Sequence, residues 1–290
     1  MKKHPHKAFS LIEISVVILI IGILIAGIST GVDLFYDSRL ATAQSLTKNA
    51  PVPRIEGLFT WIETTSPESF SSAPKDGASI GLIKDLSFKM DKVNFVQTGD
   101  DGLKPIYKRQ NLNNLPALYF DGSNDFLASE KSYTSSIFSN SQVTIFAVIK
   151  YVGANNVTAV FLKHELTSYR TGLEINGGIT RFDFPNPSMK AMGSSPSTPS
   201  IINKNIIVTA IANKSRQKLY VNSILEADIF NTNNVNISNS SDAIYLGRNN
   251  TGEYPTKFNF GELIIYDRAL TAKELDSVTK YLSKKWAIKI

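Results

Sequence analysis

Apolar and polar positions follow different rhythms in different parts of the chain. The first stretch, Ala8 to Ile28, holds 21 residues with Glu13 as its only charge. As a helix rising about 1.5 Å per residue it is about 31 Å long, which matches a hydrocarbon layer of roughly 30 Å. Past it, Val32, Tyr36, Leu40, Ala43 and Thr47 recur every three or four residues with Phe35 and Leu46 alongside. This spacing predicts that the helix continues until Pro51 and Pro53 stop it. The result is a rod of about 40 residues and roughly 60 Å, with a second half able to pack on a globular head. Gly22, Gly27 and Gly31 allow close helix approach or local melting.

From about Ile55 the pattern changes to short apolar runs separated by Gly, Asn, Pro and Ser clusters, which predicts an antiparallel sandwich or barrel. The clearer strands are GLFTWI (57–62), ALYF (117–120), VTIFAVIKYV (143–152) and TAVFLK (158–163). GLEI and ITRFDF follow, joined by Asn176-Gly177-Gly178, a hairpin signal. Then come IIVTAIA (206–212), KLYVN, AIYLG and FNFGELIIYD (258–267), while GSSPSTPS (193–200) reads as a long surface loop. Thr271 to Glu274 is a capping box, and Leu275, Val278, Leu282 and Trp286 follow at helical spacing, so a short amphipathic helix closes the chain.

Composition agrees with a packed core. Hydrophobic residues make up 42% and charged residues 19% of the 290 residues, a globular balance. The absence of cysteine excludes disulfide frameworks, thiolate zinc sites and cysteine nucleophiles together. The net charge of +6 is spread along the chain with no block of like charge, so no nucleic-acid signal stands out.

Lys2, Lys3 and Lys7 precede the apolar run and Asp33, Asp37 and Arg39 follow it. That asymmetry holds the N-terminus in the cytoplasm and places the remainder outside. A plain anchor and a secretory signal both accommodate the run, the latter with only a loose small-x-small site at Ala26, Ser29 and Gly31. Neither explains Glu13, which costs roughly 2.5 kcal/mol or more in hydrocarbon.

The stretch KAFSLIE followed by an apolar run resembles the class III signal of type IV pilins and the related pseudopilins. The resemblance implies that a prepilin peptidase removes the leader, residues 1–8, between Ala8 and Phe9, and that Phe9 is then N-methylated. Glu13 becomes the fifth residue, where the family keeps an acid paired with the terminal ammonium of a neighbouring subunit. The mid-helix proline frequent in that family is missing here.

Three stretches of the body resemble the laminin-G-like, concanavalin A-like jelly-roll domains of bacterial surface proteins. They are EGLFTWIETTSPESF, LPALYFDGSNDFLAS and FGELIIYDRALTAKELDSVTKYLSKKW, the last being the most specific. Glu63 after Ile62 stands where that family often has an aspartate directly after the tryptophan.

Catalytic patterns are thin. His4, His6 and His164 are the only histidines, two of them in the leader, and no nucleophile elbow accompanies the third. The nearest match to a glucanase Glu-x-Asp-x-x-Glu strand is Glu226-Ala-Asp228-Ile-Phe-Asn231, whose last member is an amide. Asp121, Asn124 and Asp125 offer oxygens for a calcium ion, but the same stretch makes an ordinary tight turn, which is the favoured reading. Tyr169, Phe184 and Tyr254 lie in or beside loops where a sugar can stack. Lys280, Lys284, Lys285 and Lys289 read as the solvated face of the last helix.

The expectation is therefore a mainly β protein: leader 1–8, a membrane or filament-core helix 9–50, and a β-sandwich head 51–290 with a short C-terminal helix. Its expected partners are other pilin-like subunits, the prepilin peptidase, the inner membrane before assembly and a carbohydrate ligand. Adhesion by a minor filament subunit is favoured over a secretion pseudopilin or a membrane-tethered hydrolase, and no enzymatic activity is expected.

Overall fold

The computed structural model describes residues 10–131, 142–153, 158–163, 171–176, 179–183, 192–193, 201–213, 216–230, 243–248, 252 and 255–290. Helix α1 (Leu11–Lys48) comes first. Strands β1 (Leu58–Glu63), β2 (Leu82–Ile83), β3 (Phe95–Val96), β4 (Ile106–Leu112), β5 (Leu115–Asp121), β6 (Leu127–Ser129), β7 (Gln142–Tyr151) and β8 (Thr158–Lys163) follow. Next come β9 (Thr171–Asn176), β10 (Ile179–Asp183), β11 (Met192–Gly193), β12 (Asn205–Asn213), β13 (Arg216–Val221), β14 (Ile224–Phe230), β15 (Tyr245–Leu246) and β16 (Lys257–Tyr266). Helix α2 (Ala272–Trp286) closes the chain.

The strands form two antiparallel sheets. One runs β14-β13-β12-β7-β16-β5-β4 with β1 also paired to β16; the other runs β11-β10-β9-β8-β15-β6-β3-β2. Phe120, Ile145, Ile149, Phe258 and Phe260 of the first sheet meet Phe95, Leu127, Leu173 and Leu246 of the second in one core. A second core lies on the other face of the first sheet. There Trp61, Phe146, Ile264 and Tyr266 are covered by Ala43 of α1 and by Val278, Leu282 and Trp286 of α2. The molecule thus has three layers, helices on one sheet and that sheet on the other.

Turn chemistry sets the connections. Asn113-Asn114 and Asn222-Ser223 carry positive φ at both positions between β4 and β5 and between β13 and β14, the two-residue hairpin turn that suits strand twist. A register shift between Phe260 and Glu262 bulges β16, so that Glu262 points to the helix-covered face while Phe260 and Leu263 point into the sandwich core.

The C-terminal half of α1 packs less completely than its sequence stripe predicts. Tyr36, Ala43 and Thr47 are buried, but Val32 and Phe35 are exposed, because burial of α1 against the head begins at Tyr36. Lys285 is a sharper correction: the sequence placed it on a solvated face, and it is fully buried.

Candidate functional site

At its N-terminus α1 is closed by a capping box. The Ser10 hydroxyl accepts from the Ile12 amide at 3.3 Å, and the Ser10 amide donates to Glu13 Oε2 at 2.8 Å. Glu13 therefore satisfies a backbone donor that a helix start leaves unpaired, and it places negative charge at the positive end of the dipole. The signal for this was in the sequence, since Ser10-Leu11-Ile12-Glu13 has the S-x-x-E spacing. Ala8 and Phe9 lie outside the described residues. Leu11, Ile14, Ile18, Leu24 and Ile28 are among the exposed apolar side chains that follow. Among the described residues no helix is long and apolar enough to cross a membrane. The run from Ala8 to Ile28 is nonetheless continuous in the sequence, with Glu13 as its single charge.

Where α1 joins the head, charges are buried together. Glu63 of β1 lies opposite Glu262 of β16 in register, and Lys285 of α2 reaches both, at 3.1 Å and 2.9 Å, with all three side chains fully buried. Glu262 also accepts from the indole N–H of Trp61 and of Trp286, each at 2.7 Å, and from the Tyr281 hydroxyl at 2.9 Å. Glu63 accepts from the Thr65 and Ser66 amides and from the Thr47 hydroxyl of α1. Every oxygen of the pair has donors, which is what makes two buried carboxylates tolerable. Nearer the N-terminal end of α1, Arg109 of β4 pairs with Asp33 at 3.2 Å and Asp37 at 3.1 Å, and its guanidinium lies 4.0 Å from the Tyr36 ring centroid.

In the head, the turn after β5 is built by its own carboxylates. Asp121 Oδ1 accepts from the Ser123 and Asn124 amides, and Asp125 Oδ2 accepts from the Asp121 amide at 2.8 Å. Gly122 adopts φ +79°, which the turn requires. One oxygen of each carboxylate thus closes the turn, and among the described residues no group of three or more His, Asp or Glu is placed to hold a metal ion. Burial, reinforced by the Asp121 charge, pushes the Asp125 carboxyl from its ordinary 3.8 up to about 6, against the pull of the backbone hydrogen bond.

The central acid of the glucanase-like pattern is ion-paired. Asp228 is held in a fork by Arg216, Nε to Oδ1 at 2.6 Å and Nη2 to Oδ2 at 2.5 Å. The Arg216 hydrogen bonds hold its carboxyl below the usual range. His164, Asn231 and the three stacking candidates Tyr169, Phe184 and Tyr254 lie outside the described residues. Two surfaces went unnoticed in the sequence. A groove of about 260 Å³ runs between α2 and the first sheet, lined by Thr209, Tyr220 and Leu275. On the outer face of the second sheet, Phe126, Tyr245 and Arg248 cluster, with ring centroids 6.2 Å apart and the guanidinium 3.4 Å from the Phe126 centroid. They come from two chain segments joined by the pairing of β15 with β6, so no local sequence signal could have assembled them.

Comparison with known proteins follows the same division. The family described as the concanavalin A-like lectin/glucanases superfamily matches residues 121–276, and the prokaryotic N-terminal methylation motif matches residues 3–29. No curated protein matches the chain. Among solved structures, the chain is similar to the binding domain of Paraclostridial Mosquitocidal Protein 1, at 16% identity and TM-score 0.55, covering 79% of this chain and 52% of that one. It is also similar to Trypanosoma rangeli sialidase, at 14% identity and TM-score 0.52, covering 80% and 33%. The receptor binding domain of botulinum neurotoxin C/D mosaic serotype gives 14% identity and TM-score 0.56, covering 79% and 52%. The chain thus spans between a third and about half of these structures, and at such identities the likeness is one of fold.

Proposed function

Given that the chain belongs to the concanavalin A-like lectin/glucanases superfamily and carries an N-terminal methylation motif, we propose that it is a minor pilin-like subunit displaying a carbohydrate-binding head on a type IV filament. The observation that carries this reading is the union of the two parts: one helix begins at the processing motif and ends against a lectin-like sandwich. Leader 1–8, helix 9–50 and head 51–290 are the proposed divisions. Before assembly the apolar run anchors the subunit in the inner membrane with the head periplasmic, and afterwards it lies in the filament core. The sialidase likeness covers only a third of that protein, and the glucanase-like pattern ends in the amide Asn231, so we assign binding and no catalysis. The related pseudopilin of a secretion machine shares the same processing motif.

Mass spectrometry of the mature chain is the direct test. A chain starting at N-methylated Phe9 supports the reading, and one that retains Met1 or is cut near residue 30 overturns it. Glu13→Leu is expected to preserve insertion and cleavage while reducing incorporation into filaments by about tenfold or more, because its partner ammonium then lacks an anion. Surface filaments lost on deletion favour the type IV assignment; a secretion defect with filaments intact favours the pseudopilin.

A further inference from the structure

Alternation along β6 and β15 sorts their side chains by face. Leu127 and Leu246 pair with each other and are buried in the sandwich core, so Phe126, Ala128 and Tyr245 belong to the outer face. The helices cover the opposite layer, which leaves this face directed away from α1.

Arg248 ends this face. Arg109, Arg216 and Arg268 each pair with at least one carboxylate, at distances between 2.5 and 3.2 Å. Among the described residues no carboxylate pairs with Arg248, and its Nε is buried without a hydrogen-bond acceptor. The side chain is half-buried, and burial lowers its pKa from the ordinary arginine value. A buried guanidinium nitrogen that has lost water and gained no acceptor is costly. It is also a set of planar donors ready for a carboxylate or sulfate. Gly252, at φ +84°, has its Cβ position 3.4 Å from Nη1, so the backbone there lies in van der Waals contact with the guanidinium.

We infer that this outer face binds the acidic group of a glycan, with Arg248 receiving the carboxylate or sulfate and Tyr245 and Phe126 forming the apolar wall for the sugar. The inference rests on the carbohydrate-binding reading above and adds the class of sugar to it. Aromatic rings serve neutral and acidic sugars alike, whereas a guanidinium discriminates between them.

The test uses the full-length chain in detergent micelles on matched oligosaccharide pairs: uronic acid oligomers and their methyl esters, sialylated and desialylated glycans, sulfated and unsulfated glycans. The wild-type chain is expected to hold the acidic member of at least one pair about tenfold or more tightly than its neutral partner. Arg248→Gln removes that preference, and Arg248→Lys, which keeps the charge and loses the fork, retains part of it. Unchanged melting temperatures show that the variants fold; should Arg248→Gln fail to fold, the Lys variant and the salt dependence of wild-type binding decide. If acidic and neutral members bind alike, Arg248 is a stacking side chain only, and the inference falls while the carbohydrate reading stands. If no glycan of either kind is held, both fall.

Discussion

Glu63 and Glu262 sit directly across from one another on β1 and β16, where like charges repel, and Lys285 is what makes that register possible. Lys285→Met fills the space but leaves two buried carboxylates without a cation. It is expected to destabilise the chain by about 3–5 kcal/mol, measured by denaturant unfolding. At Asp125 the sign runs the other way. Its carboxyl is pushed up to about 6 in the folded chain, so the folded state holds a proton that the unfolded state has already released between about pH 4 and 6. Stability therefore falls as pH rises through that window. Asp125→Asn keeps an acceptor for the Asp121 amide and removes the titration, so it is expected to flatten the curve and gain on the order of 1–2 kcal/mol at about pH 7. Unfolding free energies on either side of the window check this.

At the scale of elements, α2 shows both how much was legible and where reading stopped. Its capping box and its apolar stripe of Val278, Leu282 and Trp286 are present as the spacing predicts. Lys285 falls two turns after Val278, on that same stripe, yet its charge argued for solvent, and only the acids on β1 and β16 reverse that choice. Strand β4 escaped notice because its hairpin signal is Asn113-Asn114, without the glycine that makes such turns conspicuous. Gly261 carries the packing of α2 on β16: a Cβ there would lie 2.8 Å from the Trp286 ring and 2.9 Å from Leu112. Gly261→Ala is expected to cost about 1–3 kcal/mol and to shift Trp286 fluorescence, since the ring must move.

For the whole molecule, the boundary between helix and head lies inside α1. Tyr36, Ala43 and Thr47 are buried on the head, and the Thr47 hydroxyl reaches Glu63. A chain starting at Leu34 is expected to be soluble and to unfold cooperatively. One starting at Pro51 loses that cover and is expected to be less stable by about 3 kcal/mol or more, as calorimetry of the two would show.

The sequence alone determined the parts that depend on local order: the apolar run with its single acid, the alternating strands and the capped final helix. The expected processing junction at Ala8 and Phe9 is local in the same way. These rest on periodicity and on residues within a few positions of each other. Tertiary structure decided what depends on residues far apart in the chain. It placed Lys285 between two acids about 200 positions apart in the sequence, used one oxygen each of Asp121 and Asp125 to close their turn, and set Arg248 beside Phe126 with no carboxylate partner among the described residues. Burial and pairing are properties of neighbours in space, and a charge takes its role from them.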